Sequence, residues 1–131
     1  MDNIRSLLPR HKHDLENVKR LKEFDLADLK PILPELFTWI QDINWPVAVE
    51  IAKILVSCGR EIVPELKKVM ASSDDDWKFA CLGWVIKELP REITKEMETE
   101  LKRIAFQPNS TERNSDLDDT AKEILKAHAM I

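Results

Sequence analysis

Apolar residues recur at intervals of three and four along most of the chain, which is the spacing of one face of an α-helix. Several segments are two-faced, with charged residues between the apolar ones. The clearest follows Pro90, where Ile93, Met97, Leu101 and Ile104 are spaced by four, four and three residues. The pattern predicts an all-α protein, a class that the scarcity of glycine (2 residues) and the absence of tyrosine also favour.

Two segments are apolar on almost every side. One begins at Pro46 and leaves only a thin polar stripe, and the other follows Trp77 and contains the uncharged run 79–86. We expect both helices to be packed on most of their surface. Gly83 lies within the second, where glycine costs about 1 kcal/mol relative to alanine. We therefore expect a neighbouring helix backbone to approach Gly83 closely.

Helix boundaries are indicated by capping residues, proline and glycine. The predicted N-caps are Asp14, Asp25, Asp116 and the Ser and Asp residues of SSDDDW. The helix that Asp14 begins is predicted to end near Phe24, and Pro34 is predicted to restart a helix that runs through Trp39 and Ile40. Gly59 is predicted to end the helix from Pro46 in the left-handed conformation. Residues 109–115, NSTERNS, are polar throughout and are predicted to form a loop.

The two apolar helices resemble each other at a spacing of 32 residues, which aligns Trp45 with Trp77 and Ala48 with Ala80. Each is followed by a two-faced helix. This order is typical of stacked antiparallel helical hairpins, in which one hairpin covers the bare face of the next. The chain before Pro46 would supply a third pair, so the predicted architecture is a HEAT-like α-α superhelix of about three repeats in a single domain spanning residues 1–131.

Four segments carry a resemblance to a known family. They are LLPRHKHD at 7–14, LPELFTWIQDINWPVA at 33–48, DDDWKFA at 74–80 and DTAKEIL at 119–125. Together they resemble a bacterial family of short single-domain proteins, domain of unknown function 5071, over nearly the whole chain. The segment after Pro108, NSTERNSD, is less acidic than this family would lead us to expect. The resemblance implies a compact HEAT-like helical fold and carries no known activity.

Composition limits the function classes. The 131 residues carry a formal net charge of −4, which argues against a nucleic-acid partner whose phosphates would need neutralising. The chain has neither a 20-residue apolar span nor the apolar core of a secretory signal, so we expect no membrane association and a cytoplasmic location. Cys58 and Cys81 stand alone without metal-ligand spacing and are interpreted as core residues.

Three tryptophans near the predicted hairpin turns, each close to polar residues, form the candidate interaction site. Its residues are Trp39, Asp42, Asn44, Trp45, Asp76, Trp77 and Lys78. Aromatic anchors beside charged and amide groups are typical of protein-binding hot spots. The alternative needs no ligand: Asp42 or Asn44 caps the helix from Pro46, and Trp45 packs on Trp39.

No cofactor, metal or catalytic residue is predicted. His11 and His13 are two residues apart, do not share a helix face and lack a third ligand nearby. The leading hypothesis is a non-enzymatic protein–protein interaction module with an unidentified protein partner, of undetermined oligomeric state. Two alternatives remain: an acidic immunity-type inhibitor of a basic protein, and an enzyme whose site is assembled around Asp42, His11 and Lys78.

Overall fold

The computed structural model describes residues 3–131, and over that range the chain is helical with no β-strand. The helices are α1 (Leu15–Leu21), α2 (Leu26–Leu29), α3 (Leu33–Thr38), α4 (Pro46–Ser57), α5 (Val63–Met70), α6 (Asp75–Trp84), α7 (Arg91–Thr94), α8 (Glu98–Phe106), α9 (Ser110–Asn114) and α10 (Leu117–Ala127). The prediction of an all-α protein is confirmed. No helix within the described residues is both long and apolar enough to cross a bilayer.

Three of the helices are preceded directly by a 3-10 turn. The turns are Lys30–Ile32 before α3, Gly59–Ile62 before α5 and Lys95–Met97 before α8. In each unit the last residue of the turn and the residue four positions later are fully buried. These pairs are Ile32 and Leu36, Ile62 and Leu66, and Met97 and Leu101. The same turn-and-helix unit therefore recurs three times along the chain and faces the same core.

Three predicted N-caps in the first two thirds of the chain are confirmed. Asp14, Asp25 and Asp74 each accept the backbone N–H three residues ahead, at 3.4, 3.1 and 3.0 Å. These contacts satisfy one of the free N–H groups of each first helical turn. Gly59 has the predicted left-handed conformation, with φ of 62°, although α1 ends at Leu21, three residues before the predicted Phe24.

Of two predictions near the C-terminus, one is wrong and the other is confirmed only in position. The predicted loop at 109–115 contains α9, which begins with a capping box: the Asn109 side chain accepts the Glu112 N–H, and the Glu112 side chain accepts the Asn109 N–H. The reciprocal pair satisfies two backbone donors and stabilises a helix of only five residues. Asp116 is the N-cap residue of α10, as predicted, but its backbone is left-handed, with φ of 59°, and its side chain makes no capping hydrogen bond.

The apolar helices α4 and α6 lie against each other in the middle of the molecule. Helix α4 also packs on α1 and α3, and α6 packs on α5 and α10. Each nevertheless keeps one open face, because Val49 and Val56 of α4 are partly exposed and Phe79 of α6 is 40% exposed. The expectation that both helices are covered on almost every side is therefore wrong for this face.

The predicted close approach of a helix backbone to Gly83 is also wrong. A Cβ atom built on Gly83 would have no heavy atom from a neighbouring element within 4 Å. Gly83 instead lines an open cavity of about 420 Å³ between α6 and α10. The glycine leaves space on the outer side of α6 and does not mark a tight helix crossing.

Candidate functional site

A surface groove runs between α4 and α6, along the open faces of the two helices. It consists of two cavities of about 630 and 380 Å³ that share Val49 and Trp84 as lining residues. We call it the α4–α6 groove; its lining residues are Asp42, Ile43, Asn44, Val49, Lys53, Val56, Asp76, Phe79, Trp84 and Glu88. Apolar side chains with polar groups at their edge are typical of a binding surface.

Helical spacing places the groove residues together. Val49, Lys53 and Val56 are separated by four and three residues, and Asp76 and Phe79 by three, so each set lies on one face of its helix. The Phe79 ring packs edge-on against the Trp84 ring, with centroids 5.3 Å apart and an interplanar angle of 66°. This geometry is favourable for aromatic pairs and holds both rings in place without a ligand.

The turn before α4 forms one end of the groove. The Asp42 carboxylate accepts the Asn44 backbone N–H at 2.9 Å, which fixes the turn and leaves the second carboxylate oxygen free of that bond. Neither side chain caps α4, so that part of the structural alternative is wrong. The Val47 N–H is bound by the backbone carbonyl of Lys12 at 3.1 Å, and Pro46 at the first position has no N–H.

The groove carries an excess of negative charge. Its lining includes the carboxylates of Asp42, Asp76 and Glu88 and one ammonium group, that of Lys53. Lys53 is bound to Glu50 at 3.2 Å. Within residues 3–131, none of the three groove carboxylates has a cationic nitrogen within 4.0 Å. The groove thus presents carboxylates whose charge is not neutralised by the chain itself.

The three tryptophans of the candidate site lie outside the groove lining. Trp39 and Trp45 pack edge-on with ring centroids 6.0 Å apart, and both rest against the core. The Trp77 indole N–H donates to the backbone carbonyl of Phe37 at 2.9 Å and so ties α6 to α3. The predicted packing of Trp45 on Trp39 is confirmed, and these rings have structural contacts that account for them without a ligand.

Lys78 does not lie on the surface. Its side chain is 1% exposed, and its ammonium group lies 2.9 Å from Glu112 Oε2 and 3.1 Å from Asp75 Oδ1. Glu112 is fully buried and also accepts Arg103 Nη1 at 2.8 Å. We call these four residues the buried ion cluster. Lys78 is therefore unavailable both to a partner and to an active site shared with Asp42, which lines the groove.

The buried ion cluster is electrostatically stable near neutral pH. The Arg103 guanidinium, the Asn109 N–H and the Lys78 ammonium together outweigh the burial of Glu112 and lower the pKa of its carboxyl from 4.5 to about 2, with Arg103 the main cause. Glu112 accepts four hydrogen bonds, one from the Lys78 ammonium group, two from the Arg103 guanidinium and one from the Asn109 N–H, and all four are buried or partly buried. Glu112 is thus a structural carboxylate, held ionised by its neighbours.

The remaining reactive side chains do not assemble into a site. His11 and His13 are exposed, with ring centroids 6.4 Å apart. Cys58 and Cys81 are both buried, and burial raises the pKa of both thiols, which disfavours the nucleophilic thiolate. In the part of the chain that the structure describes, no three His, Cys, Asp or Glu side chains are placed to hold a metal ion.

The amino-acid sequence matches a protein-family model over most of its length. The model described as Domain of unknown function (DUF5071) matches residues 7–125 of the 131-residue chain. The chain belongs to this family. The DUF5071 match includes every residue of the α4–α6 groove and of the buried ion cluster. No curated protein matches the sequence at a significant level.

The predicted site does not include the most exposed aromatic residue of the groove, Phe79. The other groove residues outside the predicted site are Ile43, Val49, Lys53, Val56, Trp84 and Glu88. A signal for Phe79 was present: the uncharged run 79–86 is eight residues long and covers more than two helical turns, so its side chains point in all directions. One helix cannot bury all of them unless it is surrounded. The groove is the place where the surrounding helices of the DUF5071 domain leave α6 uncovered.

Proposed function

We propose that this chain is a non-enzymatic protein–protein interaction module that binds its partner through the α4–α6 groove. The observation that carries the proposal is an aromatic pair at the surface of the groove: Phe79 is 40% exposed, and its ring packs on the partly exposed Trp84 beside Val49. Such a patch, bordered by Asp42, Asn44 and Asp76, is typical of a surface that becomes covered on binding. These three polar residues are the part of the predicted site that lines the groove.

We also propose a specific helical architecture and a cellular location for the protein. We infer a HEAT-like stack, in which the three turn-and-helix units are the second helices of successive hairpins. A stack of this kind exposes an edge along its length, and the α4–α6 groove lies where two consecutive hairpins meet. We place the protein in the bacterial cytoplasm, because its two cysteines are free thiols and reducing conditions there keep cysteines in that form.

An immunity-type inhibitor is the second candidate, and the charge of the groove favours it. Three carboxylates with no cationic nitrogen of residues 3–131 within 4.0 Å, in a chain of net charge −4, would attract a basic target at long range. This candidate uses the same surface as the interaction module. It differs in requiring that binding block the activity of the target.

Photo-crosslinking at position 79 tests the proposed surface. p-Benzoylphenylalanine at position 79 places a reactive aromatic group in the groove with little change of shape. The same residue at position 106 is the matched control, because Phe106 is also an exposed phenylalanine, at 55%, and does not line the groove. We expect irradiation in cells of the source organism to give a discrete adduct from position 79 and none from position 106.

A competition step distinguishes specific binding from chance contact. Excess purified wild-type protein should suppress the adduct in lysate, whereas folded Phe79→Ser protein should not. We expect Phe79→Ser to keep the wild-type circular dichroism spectrum, because the exposed ring contributes little to the core. Equal crosslinking from both positions, or an adduct that Phe79→Ser protein suppresses equally well, would contradict a binding site in the groove.

A further inference from the structure

We propose that the occupant of the α4–α6 groove is an amphipathic helical segment of a partner protein, with apolar residues along one face and lysine or arginine residues beside them. The inference rests on the proposed function and adds the chemistry of the partner. It follows from the length of the apolar lining, from the groove carboxylates that have no cationic nitrogen of residues 3–131 within 4.0 Å, and from the packing of the aromatic pair.

The apolar lining matches the repeat of a helix. Val49 and Val56 are seven residues apart on α4, which corresponds to about 10 Å along the helix axis. Phe79 and Trp84, five residues apart on α6, line the opposite side over about 7.5 Å. A helix that presents apolar side chains at positions i, i+3 or i+4 and i+7 spans the same distance as Val49 and Val56, and grooves between helices commonly bind such segments.

The carboxylates determine the charge of the segment. Asp42 and Asp76 lie in the larger cavity, whose lining residues include no cation, and Glu88 lies in the smaller cavity with Lys53, so the negative charge is concentrated at the Asp42 and Asp76 end. A lysine or arginine that flanks the apolar face of a bound helix would meet one of these carboxylates. Its aliphatic stem would remain on the apolar surface while its charged group reaches the edge.

The same charges disfavour two other occupants. A nucleic acid would bring phosphates against Asp42, Asp76 and Glu88 and would gain no counterion release from them. A second copy of this chain, joined by a two-fold axis through the groove, would place acidic edge against acidic edge. Juxtaposed like charges at an interface cost several kcal/mol, so a basic segment of a different protein is the occupant that the groove fits.

Selection from a display library identifies the preferred chemistry directly. The probe is a library of random 16-residue peptides, selected on the immobilised full-length protein and counter-selected on Phe79→Ser. We expect the enriched sequences to carry apolar residues at helical spacing and a net positive charge. Fluorescence anisotropy with a synthetic copy of the most enriched sequence then gives its affinity for each variant.

Charge neutralisation supplies the matched comparison. The double variant Asp42→Asn with Asp76→Asn keeps the oxygen that binds the Asn44 N–H and removes two groove charges. The control, Glu23→Gln with Asp28→Asn, removes two exposed charges outside the groove. We expect the groove pair to weaken binding about fivefold at 0.1 M salt and the control pair to weaken it less than twofold.

The outcomes separate this inference from the proposed function. Enrichment of acidic peptides, of sequences without helical spacing, or of none above the Phe79→Ser background would overturn the basic helical occupant. Equal weakening by the two charge pairs would do the same. Concentration-dependent dimerisation that Phe79→Ser abolishes would assign the groove to a second copy. The crosslinking experiment at position 79 stands independently of all these results, because it does not depend on what the partner segment looks like.

Discussion

The two sides of α6 differ in which kind of side chain is buried and which is exposed. On the inner side Lys78 is buried at 1% exposure and bound to Glu112, whereas its neighbour Phe79 on the outer side is 40% exposed. Globular proteins usually bury phenylalanine and expose lysine. Here the charged residue lies inside and the aromatic residue outside. The inner side connects helices within the molecule, and the outer side carries apolar surface that the chain does not cover.

The buried ion cluster on the inner side of α6 connects three helices, whereas the outer side of α6 makes no such connection through Phe79. Glu112 of α9 accepts Lys78 of α6 at 2.9 Å and Arg103 of α8 at 2.8 Å, so one carboxylate joins three helices. Buried charges are tolerated when geometry and hydrogen bonding replace their lost hydration. A five-residue helix such as α9 has too little apolar surface to dock by packing alone. The cluster thus fixes a segment that hydrophobic burial could not hold.

The largest predicted effect is the loss of stability when Glu112 is removed. Glu112→Ala leaves Lys78 buried with only Asp75 as counterion and deletes the capping box of α9, so we expect the free energy of unfolding to fall by about 3–5 kcal/mol. Lys78→Met should cost less, about 1–2 kcal/mol, because Glu112 keeps Arg103 and the Asn109 N–H. Urea denaturation measures both. A larger loss for Lys78→Met would show that the ammonium group, and not Arg103, is the main partner of Glu112.

A smaller effect should appear on acidification. The pKa of Glu112 is about 2 in the folded protein against an ordinary value of 4.5, so the stabilisation it provides is complete above pH 4.5 and is lost as the pH falls toward 2. The free energy of unfolding should therefore differ between wild type and Glu112→Gln at pH 7, and the pH-dependent part of that difference should shrink to roughly two fifths at pH 3.

The variant comparison is needed because other carboxyl groups also have lowered pKa values. Arg10 lowers the pKa of Asp14, and Lys22 and Lys53 lower that of Glu50, so the wild-type protein loses stability in acid for several reasons at once. These contributions are common to wild type and Glu112→Gln and cancel in the difference. A difference that stays constant from pH 7 to pH 3 would place the carboxylate of Glu112 outside the ionic network.

The inner side and the outer side of α6 also differ in how far the sequence predicts them. Asp74 as the cap of α6 and the buried positions of Ala80 and Cys81 follow from local pattern and are confirmed. The partner of Lys78 cannot be predicted from local pattern, because Glu112 lies 34 residues away along the chain and comes close to Lys78 only through the packing of α9. The capping-box spacing of Asn109 and Glu112 was a local signal for α9, and it was overlooked because NSTERNS is polar throughout.

The open face of α6 was predictable only in part, for a related reason. A sequence shows that the run 79–86 is apolar, but not how many neighbours surround it. The same limit applies at the start of α4, where the Lys12 carbonyl binds the Val47 N–H. The predicted caps there were the nearby Asp42 and Asn44, whereas the actual acceptor comes from a distant loop. Most of the local capping predictions are confirmed, with α9 as the exception, whereas a contact with a partner distant in sequence, such as that of Val47 with Lys12, is beyond what local pattern can predict.

The smallest predicted effect tests the open space on the outer side of α6. Gly83→Ala should raise the free energy of unfolding by about 0.5 kcal/mol, because alanine favours the helix and its Cβ would meet no atom of another element within 4 Å. Gly59→Ala is the matched control and should lower the free energy of unfolding by about 1 kcal/mol, since the φ of 62° at Gly59 is unfavourable for any residue with a side chain. Urea midpoints of the two variants should therefore shift in opposite directions. If Gly83→Ala destabilised the protein as Gly59→Ala does, α10 would have to pack on α6 at Gly83, and the outer side of α6 would be as closed as its inner side.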